Sequence, residues 1–368
     1  MNENTFKLLH SDVTERKGSV VPNISPAWQD LALARAFKKE ASRAQIRARL
    51  SYESVKIAPI LINPGWTLAG EHVHIRPQDW VQFAQQSKEW SAKLKDEFAA
   101  IGAMPGELEQ AREAYQSFID GGKPYRCADA PGLRDPELLR GSGGWCDGNP
   151  FAVYMAGGWQ ENHSIRDYAK LLRLGYKGLK AEIENELASH DFVEKDYPER
   201  EAFLKALISI CDAGICLGER YAELAAKMAE QATDEADKKR LLDMAALCRK
   251  VPANGATTLH EAVQSLWFGH IITCNEDGIN ANSIGRIDQI LNPYYESDLK
   301  KGVCTREDAF DLMLELALKL YLEYDVQAMT LSQALGESAF RLVLFTVPIA
   351  VLLGLVYPLL PPASPAAF

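Results

Sequence analysis

A histidine in a glycine-rich stretch is the first residue of this chain that could do chemistry. In the sequence GGWQENHSIRDY, His163 lies directly before a predicted helix N-terminus. The partial positive charge at that end of a helix lowers the pKa of an imidazole, so a neutral His163 could act as a general base or as a hydrogen-bond donor. A histidine that only caps the helix, or that is hydrogen-bonded in the core, would show the same spacing.

A second polar cluster lies in the stretch NEDGINANSIGRIDQ. Its charged side chains could form a buried salt-bridge network, and Asn282 and Ser283 could line a pocket beside it. The charged residues are Glu276, Asp277, Arg286 and Asp288. A cluster of this kind can equally have a purely structural role, and the residue types alone leave both interpretations open.

Several other kinds of site are excluded by motifs and charge. The chain has no G-x-G-x-x-G that opens a helix, no Walker lysine, no G-x-S-x-G and no H-E-x-x-H, so nucleotide binding and the usual hydrolase mechanisms are unsupported. The formal net charge is -10 and the isoelectric point is near 5.3. Nucleic-acid binding depends on clustered basic residues. We therefore expect a small-molecule substrate and no nucleic-acid partner.

The cysteines indicate a reducing compartment. The 368 residues contain seven cysteines, an odd number, scattered and without a C-x-x-C pair. This pattern predicts free thiols in a cytoplasmic protein and no metal site. The thiol of Cys146 has no cation or histidine beside it that would stabilise a thiolate, so a nucleophilic role is not expected. The N-terminus lacks the apolar region of a secretory signal.

Long helices are predicted to carry most of the chain. Apolar residues at helical spacing predict one helix over residues 28–50 and three helices between 164 and 250. Three patterns that resemble capping boxes mark helix starts: Ser164 with Asp167, Thr258 with Glu261, and Thr305 with Asp308.

Short strands are predicted between these helices. Residues 55–77 combine apolar alternation with Pro and Gly, and residues 281–288 have the composition of a short strand. Single strands among long helices are typical of a barrel or an open sheet covered by helices, so we expect an α/β, helix-rich fold. The Gly-, Pro- and aromatic-rich residues 121–160 are expected to wrap a site.

Residues 251–327 resemble the pyruvate formate-lyase-type glycyl radical enzymes. The family pattern has a Pro-Ala turn, a helix that ends in Leu-Trp-Phe, a Glu-containing loop, Ser-x-Gly-Arg-x-Asp-Gln and Pro-Tyr-Tyr. The matching residues are Pro252, Ala253, Glu261, Ala262, Gln264, Leu266, Trp267, Phe268, Glu276, Ser283, Gly285, Arg286, Asp288, Gln289, Pro293, Tyr294 and Tyr295. The stretch NHSIRDYAKLLRLGYKGL resembles another family segment, and the resemblance covers about residues 30 to 330.

The resemblance implies a fold and a cofactor chemistry. The family has a ten-stranded β/α barrel of two half-sheets, and this chain would supply the N-terminal half. Family members are cytosolic and usually dimeric, so a homodimer is expected. They bind no separate cofactor, but a radical-SAM activating enzyme with an iron-sulfur cluster installs a glycyl radical, which a cysteine thiyl relays to the substrate. The outcome is cleavage of a C–C, C–N, C–S or C–O bond.

The resemblance also assigns residues. His163 matches a histidine that assists loss of a hydroxyl group in the diol dehydratases, and Ser283 matches a pocket-lining serine. Met155 stands where some relatives carry a polar substrate-binding side chain, which puts a polyol substrate in doubt. Glu276 and Asn282 would complete the substrate contacts, while Arg286 and Asp288 would form a structural network.

The sequence departs from the family near its C-terminus. No thiyl-cysteine loop and no Arg-Val-x-Gly-Tyr radical loop occurs in the 368 residues. We therefore expect an extension at 1–27, a pyruvate formate-lyase-like domain at 28–330 and an aberrant hydrophobic tail at 331–368, in a chain that is incomplete and inactive alone. The alternative is a non-catalytic ligand-binding or scaffold relative. The tail could be a frameshift product or a membrane anchor, although two prolines, Pro348 and Pro358, interrupt its apolar run 342–360.

Overall fold

The computed structural model describes part of the chain. The described residues are 27–38, 41–70, 96, 98–110, 113, 165–189, 193, 195–277 and 283–335. Over residues 275–277 and 321–335 the description is limited to the backbone. Of the expected extension (1–27) and the expected tail (331–368), residues 1–26 and 336–368 lie outside the described residues. Residue 27 and residues 331–335 are helical.

The described residues are mostly helical. The helices are α1 (Ala27–Ala36), α2 (Arg43–Ile57), α3 (Tyr168–Ser189), α4 (Tyr197–Gln231), α5 (Glu235–Lys250), α6 (Leu259–Asp277), α7 (Ile287–Lys301) and α8 (Arg306–Leu335). The described residues contain no strand. The expected helix-rich character is therefore confirmed, whereas the half-barrel stays a prediction.

Helix α6 lies at the centre of the hydrophobic core. Its sequence, LHEAVQSLWFGHIITCNED, has apolar side chains around the whole circumference, and every residue from 262 to 272 is buried. A helix that is apolar on all sides is stable only when other elements surround it. Helix α6 packs against α2, α3, α4, α5, α7 and α8. It is the element around which the others are arranged.

Helix α3 is broken near its middle and docks there on the loop that precedes α6. At Gly175 the backbone has φ 65° and ψ 173°, which is not helical. Main-chain hydrogen bonds of 2.8–2.9 Å cross the break from Tyr176 N to Pro252 O, from Lys177 N to Ala253 O and from Ala256 N to Leu172 O. The loop thereby satisfies groups that the break frees from the helix. The first turns of α3 are fixed against the start of α6.

The irregular segment 66–70 is held by side chains instead of by a neighbouring strand. Arg240 donates to Trp66 O, and Glu315 accepts from the main-chain N–H groups of Thr67 and Leu68. Gln264 exchanges two hydrogen bonds with Ala69, at 2.8 and 2.9 Å. Gly70 O accepts from Trp267 Nε1 and Lys319 Nζ. Side chains from α5, α6 and α8 thus take the place of a strand partner.

The strand predictions are wrong wherever the structure describes the residues. In the 55–77 segment, residues 55–57 belong to α2 and residues 58–70 are irregular. In the 281–288 segment, residues 283–286 are irregular and α7 begins at Ile287. The remaining residues of both segments lie outside the described part of the chain.

The predicted helices are confirmed, with changed boundaries. Three helices do occupy residues 168–250. The helix expected over 28–50 is instead two helices, because Ser42 and Gln45 form a capping box that starts α2. The reciprocal bonds of Thr258 with Glu261 and of Thr305 with Asp308 start α6 and α8 as expected. The start of α3 differs, since Asp167 itself accepts from Lys170 N.

Candidate functional site

Two of the segments that carry predicted site residues touch one another. Ile165 lies two residues after His163, and Gly285 lies two residues after Ser283. Gly285 has a φ of +72°, and a Cβ atom at this position would lie 2.6 Å from Ile165 Cγ2. The absence of a side chain at Gly285 therefore allows the close approach. This contact brings the segments that follow His163 and Ser283 to the same place.

A buried polar chain links the same region to the end of α6. Tyr168 Oη lies 3.3 Å from His270 Nδ1, and Cys274 Sγ lies 3.6 Å from His270 Nε2. All three residues are buried. Cys274 precedes Glu276 by two residues. The contacts of Tyr168, His270 and Cys274 therefore connect the start of α3 to the segment that carries Glu276. Sequence reasoning missed these three contacting side chains, although His270 stands out as a polar residue in the apolar run WFGHIIT.

The loop before α7 exposes its polar residues. Ser283 is exposed, and its Oγ accepts a hydrogen bond of 3.2 Å from Gly285 N. Arg286 and Asp288 pair at 3.1 Å, and the pair is exposed to solvent instead of forming the buried network that we expected. The hydrogen bonds from Arg286 hold the pKa of the Asp288 carboxyl below its usual value. This ion pair connects the N-cap residue Arg286 to the first turn of α7.

The other predicted site residues are described in part or not at all. Met155, His163 and Asn282 lie outside the described residues. Glu276 is described only by its backbone, as the residue before the last one of α6. The roles assigned to these four residues stay predictions.

Two buried charged side chains lie beside segment 66–70. Glu315 and Lys319 are 3% and 2% exposed and stand one turn apart on α8. Burial raises the pKa of Glu315, although the charge of Lys319 and hydrogen bonds from Leu68 and Thr67 act in the opposite direction. Lys319 Nζ also lies 4.4 Å from the centre of the Trp66 ring, at cation–π distance. The sequence signal was a pair of charges in the apolar run LMLELALKL.

Four of the described cysteines have thiols whose pKa is raised by burial. Burial raises the pKa of Cys211 to about 12, and burial likewise raises the pKa of Cys304. Such thiols stay protonated at neutral pH. Within the described ranges, no group of three or more His, Cys, Asp or Glu residues could hold a metal ion.

The described helices differ from membrane-spanning helices in length or in hydropathy. Among the helices that the structure describes, none is both long enough and apolar enough to span a bilayer. The apolar run 342–360 itself lies outside the described residues.

Known protein families and sequences give a consistent match. The family model for pyruvate formate lyase-like proteins matches residues 153–340, which is more than half of the chain. The chain is 43% identical to trans-4-hydroxy-L-proline dehydratase of Clostridioides difficile over 145 residues, which are 39% of this chain and 18% of the dehydratase. It is 38% identical to isethionate sulfite-lyase of Nitratidesulfovibrio vulgaris over 151 residues, which are 40% of this chain and 18% of that protein.

Solved structures match over a larger share of the chain. The hydroxyproline dehydratase of C. difficile, solved with trans-4-hydroxy-L-proline bound, superposes with a TM-score of 0.61 at 25% identity, and the match covers 87% of this chain and 40% of that one. A structure concerned with 1,2-propanediol dehydration in Roseburia inulinivorans gives the same TM-score and identity, with 87% and 37% covered. This chain therefore spans well under half the length of the proteins it matches.

Proposed function

Because the chain belongs to the pyruvate formate lyase-like family, we propose that it forms the substrate-binding part of a glycyl radical lyase or dehydratase. Its relatives include dehydratases, sulfite-lyases and decarboxylases of the glycyl radical class. The observation that carries the proposal is the contact between Ile165 and Gly285, since it brings the segments beside His163 and Ser283 together.

The proposed substrate is a small polar molecule with a leaving group next to the carbon that is activated. In its protonated form, His163 would donate a proton to a departing hydroxyl group as a general acid. Ser283, Asn282 and Glu276 would hydrogen-bond the polar groups of the substrate and fix its orientation. Met155 would line the pocket with an apolar surface, which favours a substrate with fewer hydroxyl groups than a polyol.

The proposal gives this chain no part in hydrogen-atom abstraction. The sequence Arg-Val-x-Gly-Tyr, which carries the radical glycine in the family, does not occur in the 368 residues. In the proposed active protein, a radical-SAM activating enzyme with an iron-sulfur cluster installs the glycyl radical, and two copies form a dimer.

A chimera tests the proposal. Residues 153–340 would replace the equivalent segment of the C. difficile dehydratase, so that the recipient supplies the radical glycine and the cysteine. We expect the activated chimera to turn over trans-4-hydroxy-L-proline, isethionate or 1,2-propanediol. In the same chimera, His163→Gln should lower kcat by roughly 10²–10⁴-fold, the usual contribution of a general acid, without lowering the radical content.

The control for this experiment is the glycyl radical itself, measured by electron paramagnetic resonance before substrate is added. A chimera that carries the radical but turns over none of the three compounds contradicts the proposal. So does a His163→Gln chimera with an unchanged kcat.

A non-catalytic ligand-binding protein is a second candidate function. It predicts that the chain binds a small polar molecule while the radical-bearing chimera stays inactive. Isothermal titration of the intact chain with the same three compounds, beside the chimera assay, separates the two functions. Binding by the intact chain together with turnover by the chimera excludes the non-catalytic function.

A further inference from the structure

A cavity far along the chain from the predicted site residues is lined by cationic side chains. It has a volume of about 310 Å³ and lies between the α1–α2 connection, α2 and the first third of α4. Lys38 and Arg49 line one side, and Lys205 and Ser209 line the other. No carboxylate is among the described residues that line the cavity. A cavity with this lining attracts anions.

Two cations of the cavity differ from several other cations of the described residues in whether a carboxylate pairs with them. Arg35, Lys180 and Lys250 each bind a carboxylate at 2.7–2.9 Å. Within the described residues, by contrast, no carboxylate pairs with Lys38 or Arg49, and the described hydrogen bond of the Arg49 side chain goes to the main-chain carbonyl of Arg35.

Two further polar side chains of the cavity, Gln45 and Lys205, can also donate. Gln45 accepts from Ser42 N through Oε1, which leaves its Nε2 group as a donor. Lys205 is held by Glu201 at 2.8 Å, but an ammonium has further hydrogens to offer. Residues 41–49 contain three arginines and no acidic residue, although the chain as a whole carries a net charge of -10. The cavity is thus a local basic site in an acidic protein.

We propose that this cavity binds a small molecule with several anionic oxygens, of the phosphate or carboxylate class. Charge-assisted hydrogen bonds from the Lys38 ammonium and the Arg49 guanidinium hold the anionic groups, and Gln45 donates a further hydrogen bond. The proposal is independent of radical chemistry, because no residue of the cavity belongs to the predicted substrate pocket.

Isothermal titration of the full chain with inorganic pyrophosphate and, separately, with citrate tests the proposal at low ionic strength. We expect one site per chain, a preference for one probe that identifies the anion class, and weaker binding as salt is added. Lys38→Ala should weaken binding roughly tenfold, the effect of losing one charge-assisted hydrogen bond, and Lys38→Glu should abolish it. Lys38 is exposed, so neither substitution should alter the fold, which circular dichroism and thermal melting will verify.

The matched control is Lys300→Ala, which removes an exposed lysine of α7 that is not part of the cavity. Its affinity for the preferred probe should equal that of the wild-type chain. Failure of both probes to bind overturns the proposal, as does an affinity that Lys38→Ala leaves unchanged. Equal weakening by Lys300→Ala and Lys38→Ala overturns it too, since the binding would then reflect general charge.

Discussion

At the residue scale, the buried pair of Glu315 and Lys319 allows a direct test of what holds segment 66–70. Glu315→Ala removes the acceptor of two main-chain N–H groups and the carboxylate one turn from the buried Lys319 ammonium. Removal of one partner of a buried charged pair leaves the other uncompensated. We expect the free energy of unfolding to fall by about 3–5 kcal/mol, measured by urea denaturation.

A double-mutant cycle provides the control for this prediction. Lys319→Met keeps most of the side-chain volume and removes the charge, so the Glu315→Ala/Lys319→Met protein no longer contains an isolated ammonium. The cost of the double substitution should be smaller than the sum of the two single costs by about 0.5–3 kcal/mol. Strictly additive costs would show that the two side chains act separately on segment 66–70.

The candidate site shows which residues a single sequence can reveal. Ser283 and Arg286 were visible because a family pattern of several residues surrounds them. The buried chain of Tyr168, His270 and Cys274 was not visible, because α6 is apolar on every side and its spacing does not distinguish a buried polar residue from an exposed one. That distinction depends on the helices packed around α6.

At the element scale, the break in α3 can be tested at a single glycine. At Gly175 a Cβ atom would lie 2.4 Å from the main-chain carbon of Asn254, and φ is +65°. We expect Gly175→Ala to lower the free energy of unfolding by more than about 3 kcal/mol, because backbone strain and a clash with backbone act together. Thermal and urea denaturation measure the change.

Gly302 supplies the matched control for the Gly175 substitution. It ends α7 with a nearly identical φ of +68°, but no atom lies within 4 Å of its Cβ position. Gly302→Ala should therefore cost only the strain of the left-handed conformation, about 1–2 kcal/mol. If both substitutions cost the same, the close docking of the loop before α6 on α3 does not contribute.

Secondary structure was predicted correctly where its cause is local. The prediction was wrong where the cause is distant in sequence. The capping boxes at Thr258 and Thr305 involve residues three positions apart, so the helix starts were correct. Segment 66–70 has the composition of a strand, but its hydrogen-bond partners are 174 to 249 residues away and are side chains of α5, α6 and α8. No local pattern reveals partners at that separation, so a strand over this segment was the natural but wrong expectation.

At the scale of the whole molecule, the described fold contains a larger and a smaller group of buried apolar residues. The larger one extends from α2 to α8 around α6 and contains Phe268, which is fully buried and contacts Tyr221 with ring centres 5.5 Å apart. The smaller one contains Leu31, Ala34 and Phe98. A cluster of this small size stabilises its own segments far less than the main core does.

Native-state hydrogen exchange should therefore detect two levels of opening. Amides of α6 are expected to exchange only on global unfolding, and those of α1 at a lower free energy. Leu31→Ala should speed exchange in α1 and leave α6 unchanged. Phe268→Ala should lower the protection of α6 by about 3–5 kcal/mol, the usual cost of removing a buried phenyl ring. If Leu31→Ala deprotects α6 as strongly as α1, the two clusters unfold together, and the division of the fold into a main core and a weaker N-terminal layer is wrong.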